Sequence, residues 1–149
     1  MKFLFRKKRR LATILVAISF IYSACSTISH FDQFAYQQTT SLKVDALHVM
    51  DLATGEFKSH ETDVTKIRMD MQKVYEYEKN RPKNEISAKM WAMLIDSSGA
   101  LFGGFVNTWK SQGKCSQAYI SNKQEQIAFA FDQIAELESH KIKPSDVKQ

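Results

Sequence analysis

Residues 11–22 read Leu-Ala-Thr-Ile-Leu-Val-Ala-Ile-Ser-Phe-Ile-Tyr, an uncharged run immediately after Lys2, Arg6, Lys7, Lys8, Arg9 and Arg10. A basic patch leading into a short apolar core is the two-part pattern of a secretory signal. The run falls well short of the ~20 apolar residues that a permanent bilayer-spanning helix requires. Its basic flank would hold the N-terminus on the cytoplasmic side during insertion. The pattern sets residues 1–24 apart as a signal peptide and predicts that the remainder of the chain lies outside the cytoplasm. About 125 of the 149 residues then remain, enough to bury one core and too few for a second.

The leader ends in Tyr22-Ser23-Ala24-Cys25-Ser26, which resembles the lipobox of bacterial lipoproteins. The resemblance covers the leader alone. It implies that Cys25 is lipidated through its thiol, that the leader is cut just before it, and that the new amino group is acylated. Ser23 and Ala24 match the small residues of the motif, while Tyr22 stands where the family usually has Leu. Ser26 in place of an Asp resembles the signal that sends such proteins to an outer membrane. Two other outcomes remain open at the same residues. Ala24-Cys25-Ser26 is also small-x-small, so an ordinary cut after Ser26 would release a secreted chain, and an uncut leader would act as a membrane anchor. Behind the signal peptide the reading places a tether at 25–30, a helical domain at 31–140 and a flexible polar tail at 141–149.

Lipidation of Cys25 would leave Cys115 without a partner in the chain. The expectation for Cys115 is then burial as a small hydrophobe. A Cys25–Cys115 disulfide is compatible only with a chain that is not lipidated.

The net charge of +5 invites a nucleic-acid reading, but six of the 21 basic residues lie in the leader and no acidic residue precedes Asp32. The rest holds 15 basic against 16 acidic side chains, a balance of −1. Without a basic stripe there is no electrostatic footprint for a polyanion, and nucleic acid is not expected as a partner.

Helical spacing recurs in three segments after the leader, and no stretch alternates for long. The first follows Asp32, places Phe31, Phe34, Ala35, Leu42, Ala46, Val49, Met50 and Ala53 on one broad face, and ends near Gly55, with Thr39-Thr40-Ser41 as a weak patch. The second opens at Ser59 with Glu61 and Asp63 at its positive end, carries Val64, Ile67, Met71 and Val74, and stops at Asn80-Arg81-Pro82. The third begins near Ser116, stacks Ile120, Ile127, Phe131 and Ile134, and stops before Lys143-Pro144. Between the last two, Asn84 caps a short helix carrying Ile86, Met90, Trp91, Met93 and Leu94. Asp96-Ser97-Ser98-Gly99 is a turn, and a further short helix carries Leu101, Phe102, Phe105, Val106 and Trp109, closed by Gly113. Gly103-Gly104 costs that helix about 1 kcal/mol per residue, which implies a bend or a close backbone contact. The fold class is all-α: a small bundle of three longer helices plus a short helical hairpin.

Motifs for chemistry are sparse. His30, His48, His60 and His140 show no helical pairing, so no metal site is expected. His60-Glu61 begins like a zinc-protease motif, but Val64 stands where its second His belongs. Glu56 with His60 reads as a solvated pair. Ser97-Ser98 sits in a turn, and no nucleophile elbow or phosphate loop is present. Asp132 with Glu136, and Glu76 with Glu78, read as solvated helix faces. Tyr36, Tyr75 and Tyr77 read as residues at the margin of the bundle. The semi-apolar hairpin over 90–109 either docks on lipid or protein or plugs the core, and plugging is preferred because the domain otherwise has too little to bury.

The functional expectation is a non-catalytic envelope lipoprotein, joined to a membrane through Cys25 and binding another envelope protein. Trp91, Phe102, Phe105 and Trp109 are its candidate anchors, because aromatic side chains dominate interface energetics. Carriage of an apolar ligand by the same residues, and an extracytoplasmic hydrolase assembled only by the fold, are the alternatives. No cofactor is expected.

Overall fold

The computed structural model describes residues 31–139 together with 142, 146 and 147. The signal peptide, the tether with Cys25 and most of the tail lie outside these residues. Among the described residues there are five α-helices and no strand: α1 (Gln33–Asp51), α2 (Glu61–Lys79), α3 (Glu85–Ile95), α4 (Phe102–Gln112) and α5 (Gln117–Glu138). Short 3-10 turns at Leu52–Thr54 and Phe57–His60 join α1 to α2. None of these helices is long and apolar enough to cross a membrane.

Local chemistry sets most of the boundaries. The Asp32 carboxylate caps α1 by accepting from the Ala35 amide at 3.0 Å, and the Ser116 hydroxyl caps α5 by accepting from Tyr119 at 3.3 Å. The weak patch in α1 does not break it, because Thr39 is buried with its hydroxyl returned to the Ala35 carbonyl at 2.8 Å. Two expected starts differ. Residues 57–60 form the 3-10 turn, so α2 opens at Glu61 with Glu61 and Asp63 in its first turn. Asn84 precedes α3 without capping it, and its side-chain amide donates to the carbonyl and carboxylate of Glu78.

The three stripes face inward as their spacing predicts. Leu42, Ala46, Val49 and Met50 of α1, Val64, Ile67, Met71 and Val74 of α2, and Ile120, Ile127, Phe131 and Ile134 of α5 form one continuous core. Phe31 and Phe34 depart from that pattern and are about half exposed; Phe34 packs edge-on against Tyr77 at 5.0 Å. Contacts of Lys43 with Asp132 and of Asp51 with Gln124 show that α1 and α5 run antiparallel.

The α3–α4 hairpin plugs the core. Trp91 meets Phe131 edge-on at 5.8 Å, Phe57 meets Trp109 edge-on at 5.3 Å, and the Trp109 indole donates to the Gly55 carbonyl at 3.0 Å. Backbone bonds from Phe57 to Gly113 and from Cys115 to Ala53 stitch this pole shut. Cys115 is buried, and burial pushes its thiol pKa up, leaving it a poor nucleophile.

Gly103 and Gly104 let the start of α4 lie directly on the preceding turn. A Cβ at Gly104 would sit 1.8 Å from the Gly99 carbonyl oxygen, and one at Gly103 would sit 2.3 Å from that of Ile95. These obstacles are backbone, which cannot rotate away. Gly104→Ala should therefore cost more than about 2 kcal/mol in urea unfolding, against about 1 kcal/mol or less for Gly99→Ala.

Candidate functional site

Most of the sequence-level candidates make local packing or polar contacts. Among the described residues no group of three or more His, Cys, Asp or Glu side chains could hold a metal ion. His60 lies against Trp109, with ring centroids 5.9 Å apart, and Glu56 turns away to Lys114 at 3.4 Å. Asp132 pairs with Lys43 at 2.6 Å on an exposed face. Ser98 closes the hairpin turn by donating through its amide and hydroxyl to Asp96. Of the three tyrosines, Tyr77 lines a mixed polar groove of about 560 Å³ with Phe34, Asp45, Asp70 and Lys73 between α1 and α2.

The four aromatic anchors are in the core. Trp91, Phe102 and Trp109 are 0 % exposed and Phe105 is 1 % exposed. No partner can reach them without opening the bundle. Their apolar character serves folding, and the outer face of the same hairpin carries the accessible apolar surface instead.

That outer face forms a groove of about 450 Å³ between α3 and α5. Ile86, Met90 and Met93 line one wall, Phe129, Ala130, Gln126 and Gln133 the other, and Ala100 and Leu101 close one end while Val147 borders it as well. Ile86, Met93 and Phe129 are 38 %, 45 % and 50 % exposed, although each is large and apolar. The reason lies in the helix faces: Trp91 and Leu94 take α3 inward and Ile127 and Phe131 take α5 inward, so Ile86 and Met93, about a third of a turn around α3, and Phe129, about half a turn around α5, face out. Sequence reasoning placed Ile86, Met90 and Met93 on α3, but the pairing with Phe129 needed the tertiary fold.

The walls are clasped at both ends. At one end Lys123 of α5 donates to the Ala100 carbonyl at 2.9 Å. At the other, Ser87 of α3 donates to Glu138 of α5 at 2.8 Å. Glu138 belongs to a buried polar cluster that contradicts the solvated reading of Glu78. Arg81 donates to Glu78 at 2.8 Å and to Glu138 at 2.7 Å, and both carboxylates are almost wholly enclosed. The Arg81 guanidinium also lies 3.6 Å from Asp32, which accepts from the Tyr77 hydroxyl at 2.5 Å. The ends of α1, α2, α3 and α5 thus meet around one guanidinium.

Two buried carboxylates at the negative ends of their helices are costly. Burial, followed by the charge of Glu138, pushes the Glu78 pKa up, and its Oε1 meets no hydrogen-bond donor among the described residues. Asp32 is pushed down, chiefly by the Tyr77 hydroxyl and also by the Ala35 amide and Arg81. Within the cluster Arg81 and Asn84 donate to Glu78, and Arg81 and Ser87 donate to Glu138, so it ties the ends of these helices together.

No protein-family model matches this chain, and the comparisons found no similar curated protein or solved structure.

The two shifts have opposite consequences. A carboxyl with a raised folded pKa holds its proton more tightly in the folded chain, so Glu78 favours the fold in mild acid and that contribution disappears as pH rises past its folded pKa. Asp32 favours the fold above its unfolded pKa, and this is lost as pH falls through its folded value. Urea unfolding across pH should show greatest stability in mild acid, and Glu78→Gln should flatten the decline toward neutral pH. Arg81→Met, which leaves two buried carboxylates uncompensated, should cost about 3–5 kcal/mol at neutral pH.

Proposed function

We propose that this chain is an envelope-tethered, non-catalytic binding module whose working surface is the α3/α5 groove and whose partner is apolar. The observation that carries the reading is the convergence of Ile86, Met93 and Phe129, three large apolar side chains left open, in one concave site. Val44 and Met69, also exposed, lie on α1 and α2 and do not line it. The methionines suit such a site because their unbranched thioethers adapt to the shape of what binds. The core is filled by aromatic side chains, which favours a site on this surface over carriage inside the bundle.

The tether rests on the basic and apolar leader and on Cys25 in a lipobox-like setting. A second reading keeps an envelope protein as the partner. Ile86, Met90 and Met93 repeat at i, i+4 and i+7, the spacing with which a helix offers a docking face to another helix.

Two measurements test the proposal. Intact mass of protein isolated from membranes should show cleavage before Cys25 with acyl chains attached, and Cys25→Ser should lose them. A mass beginning at Thr27 without lipid would remove the tether. A photocrosslinking amino acid placed at Met93 or Phe129 in intact cells should give discrete adducts that the same probe at Met69 does not. Equal adducts from all three positions would discard the groove.

A further inference from the structure

The α3/α5 groove is one-sided in charge. Among the described residues Lys89 is the only charged one in its lining, and no carboxylate lines it. Lys89 forms no ion pair among the described residues. Lys123 donates only to the Ala100 carbonyl at 2.9 Å and the Gln126 amide oxygen at 3.2 Å, so its positive charge is met there by neutral acceptors. The Lys89 ammonium therefore stands beside an apolar floor whose described lining residues include no carboxylate, and Lys123 reaches one end of it at Ala100.

Size narrows the occupant further. From Ile86 to Met93 the floor runs two turns, about 10 Å, and adjacent helices are spaced by about 10 Å. That footprint is far smaller than the ~800 Å² that each partner contributes to a standard protein interface. The volume of about 450 Å³ instead lies in the range of small-molecule sites, which combine an apolar lining with a few placed polar groups.

Resting on the reading of this groove as the working surface, we infer that it binds a free, single-chain anionic amphiphile of the fatty-acid class. The alkyl chain lies along Ile86, Met90, Met93 and Phe129, and the carboxylate meets the Lys89 ammonium. The charge fixes which amphiphile is accepted, and the apolar floor supplies most of the affinity.

The test uses the full-length chain in nanodiscs of zwitterionic phosphatidylcholine, with photoreactive dodecanoate, dodecanol and dodecyltrimethylammonium as probes and label sites mapped by mass spectrometry. Dodecanoate should label peptides containing Met90, Met93 and Phe129 about two- to fivefold more than dodecanol, with the cation weakest. Lys89→Glu should reverse the order of anion and cation while leaving dodecanol unchanged. Met93→Gln, at an exposed position, should weaken labelling by all three with an unaltered helical circular dichroism spectrum. Equal labelling of the groove by all three probes would overturn the anionic assignment while keeping the groove as an apolar site. Failure of every probe to label it would overturn the groove reading itself. Loss of dodecanoate labelling when phosphatidylglycerol is added to the discs would overturn the free ligand in favour of bilayer lipid.

Discussion

Everything in this fold depends on the α3–α4 hairpin filling the space that three helices leave between them. Each long helix offers a stripe of mostly aliphatic side chains, and stripes of that width meet at a seam without filling a wide interior. Trp91, Phe102, Phe105 and Trp109 supply the missing volume, and edge-on contacts with Phe57 and Phe131 hold their orientation. Gly103 and Gly104 then set how closely α4 can approach the turn before it. Because the hairpin turns its largest residues inward, its outer face is left with Ile86, Met90 and Met93.

The groove and the polar cluster are therefore two results of one arrangement. Helix α3 is pressed against α5 by its buried aromatic, and the walls they form are fixed by Lys123 at one end and by Ser87 with Glu138 at the other. Arg81 offsets the cost of enclosing Glu78 and Glu138, and it does so between helix ends where intrahelical hydrogen bonding has already run out. A slipped helix would leave these charges buried without partners, which is costly.

The helical stripes were legible because they depend on residues three or four apart, and so were the starts of the first and last helices beside Asp32 and Ser116. Val64, Ile67, Met71 and Val74 turn inward as the period of 3.6 dictates. The cluster was not legible in that way: Glu78 and Glu138 are separated by sixty positions and sit among polar neighbours, so local pattern assigns both to solvent. Asn84 has the identity of a cap, yet its side chain is turned to Glu78, which accepts from its amide. Phe34 lies about 100° around α1 from the buried Ala35 and so faces the α1/α2 groove, where Tyr77 covers it only in part. The four aromatic residues illustrate the same limit, because composition marks them as energetically important without saying whether they serve a core or an interface.

Asp32 gives the fold a mechanical entry point. Its carboxylate caps α1, accepts from Tyr77 and lies beside Arg81, all within the first two described residues of the chain. A pull on the N-terminal side of the domain is thus delivered to a charged joint between α1 and α2 before it reaches any apolar contact. The first turn of α1 can give way under load while Leu42, Val49 and the aromatic plug stay packed, so strain entering at Asp32 need not be transmitted to the α3/α5 groove.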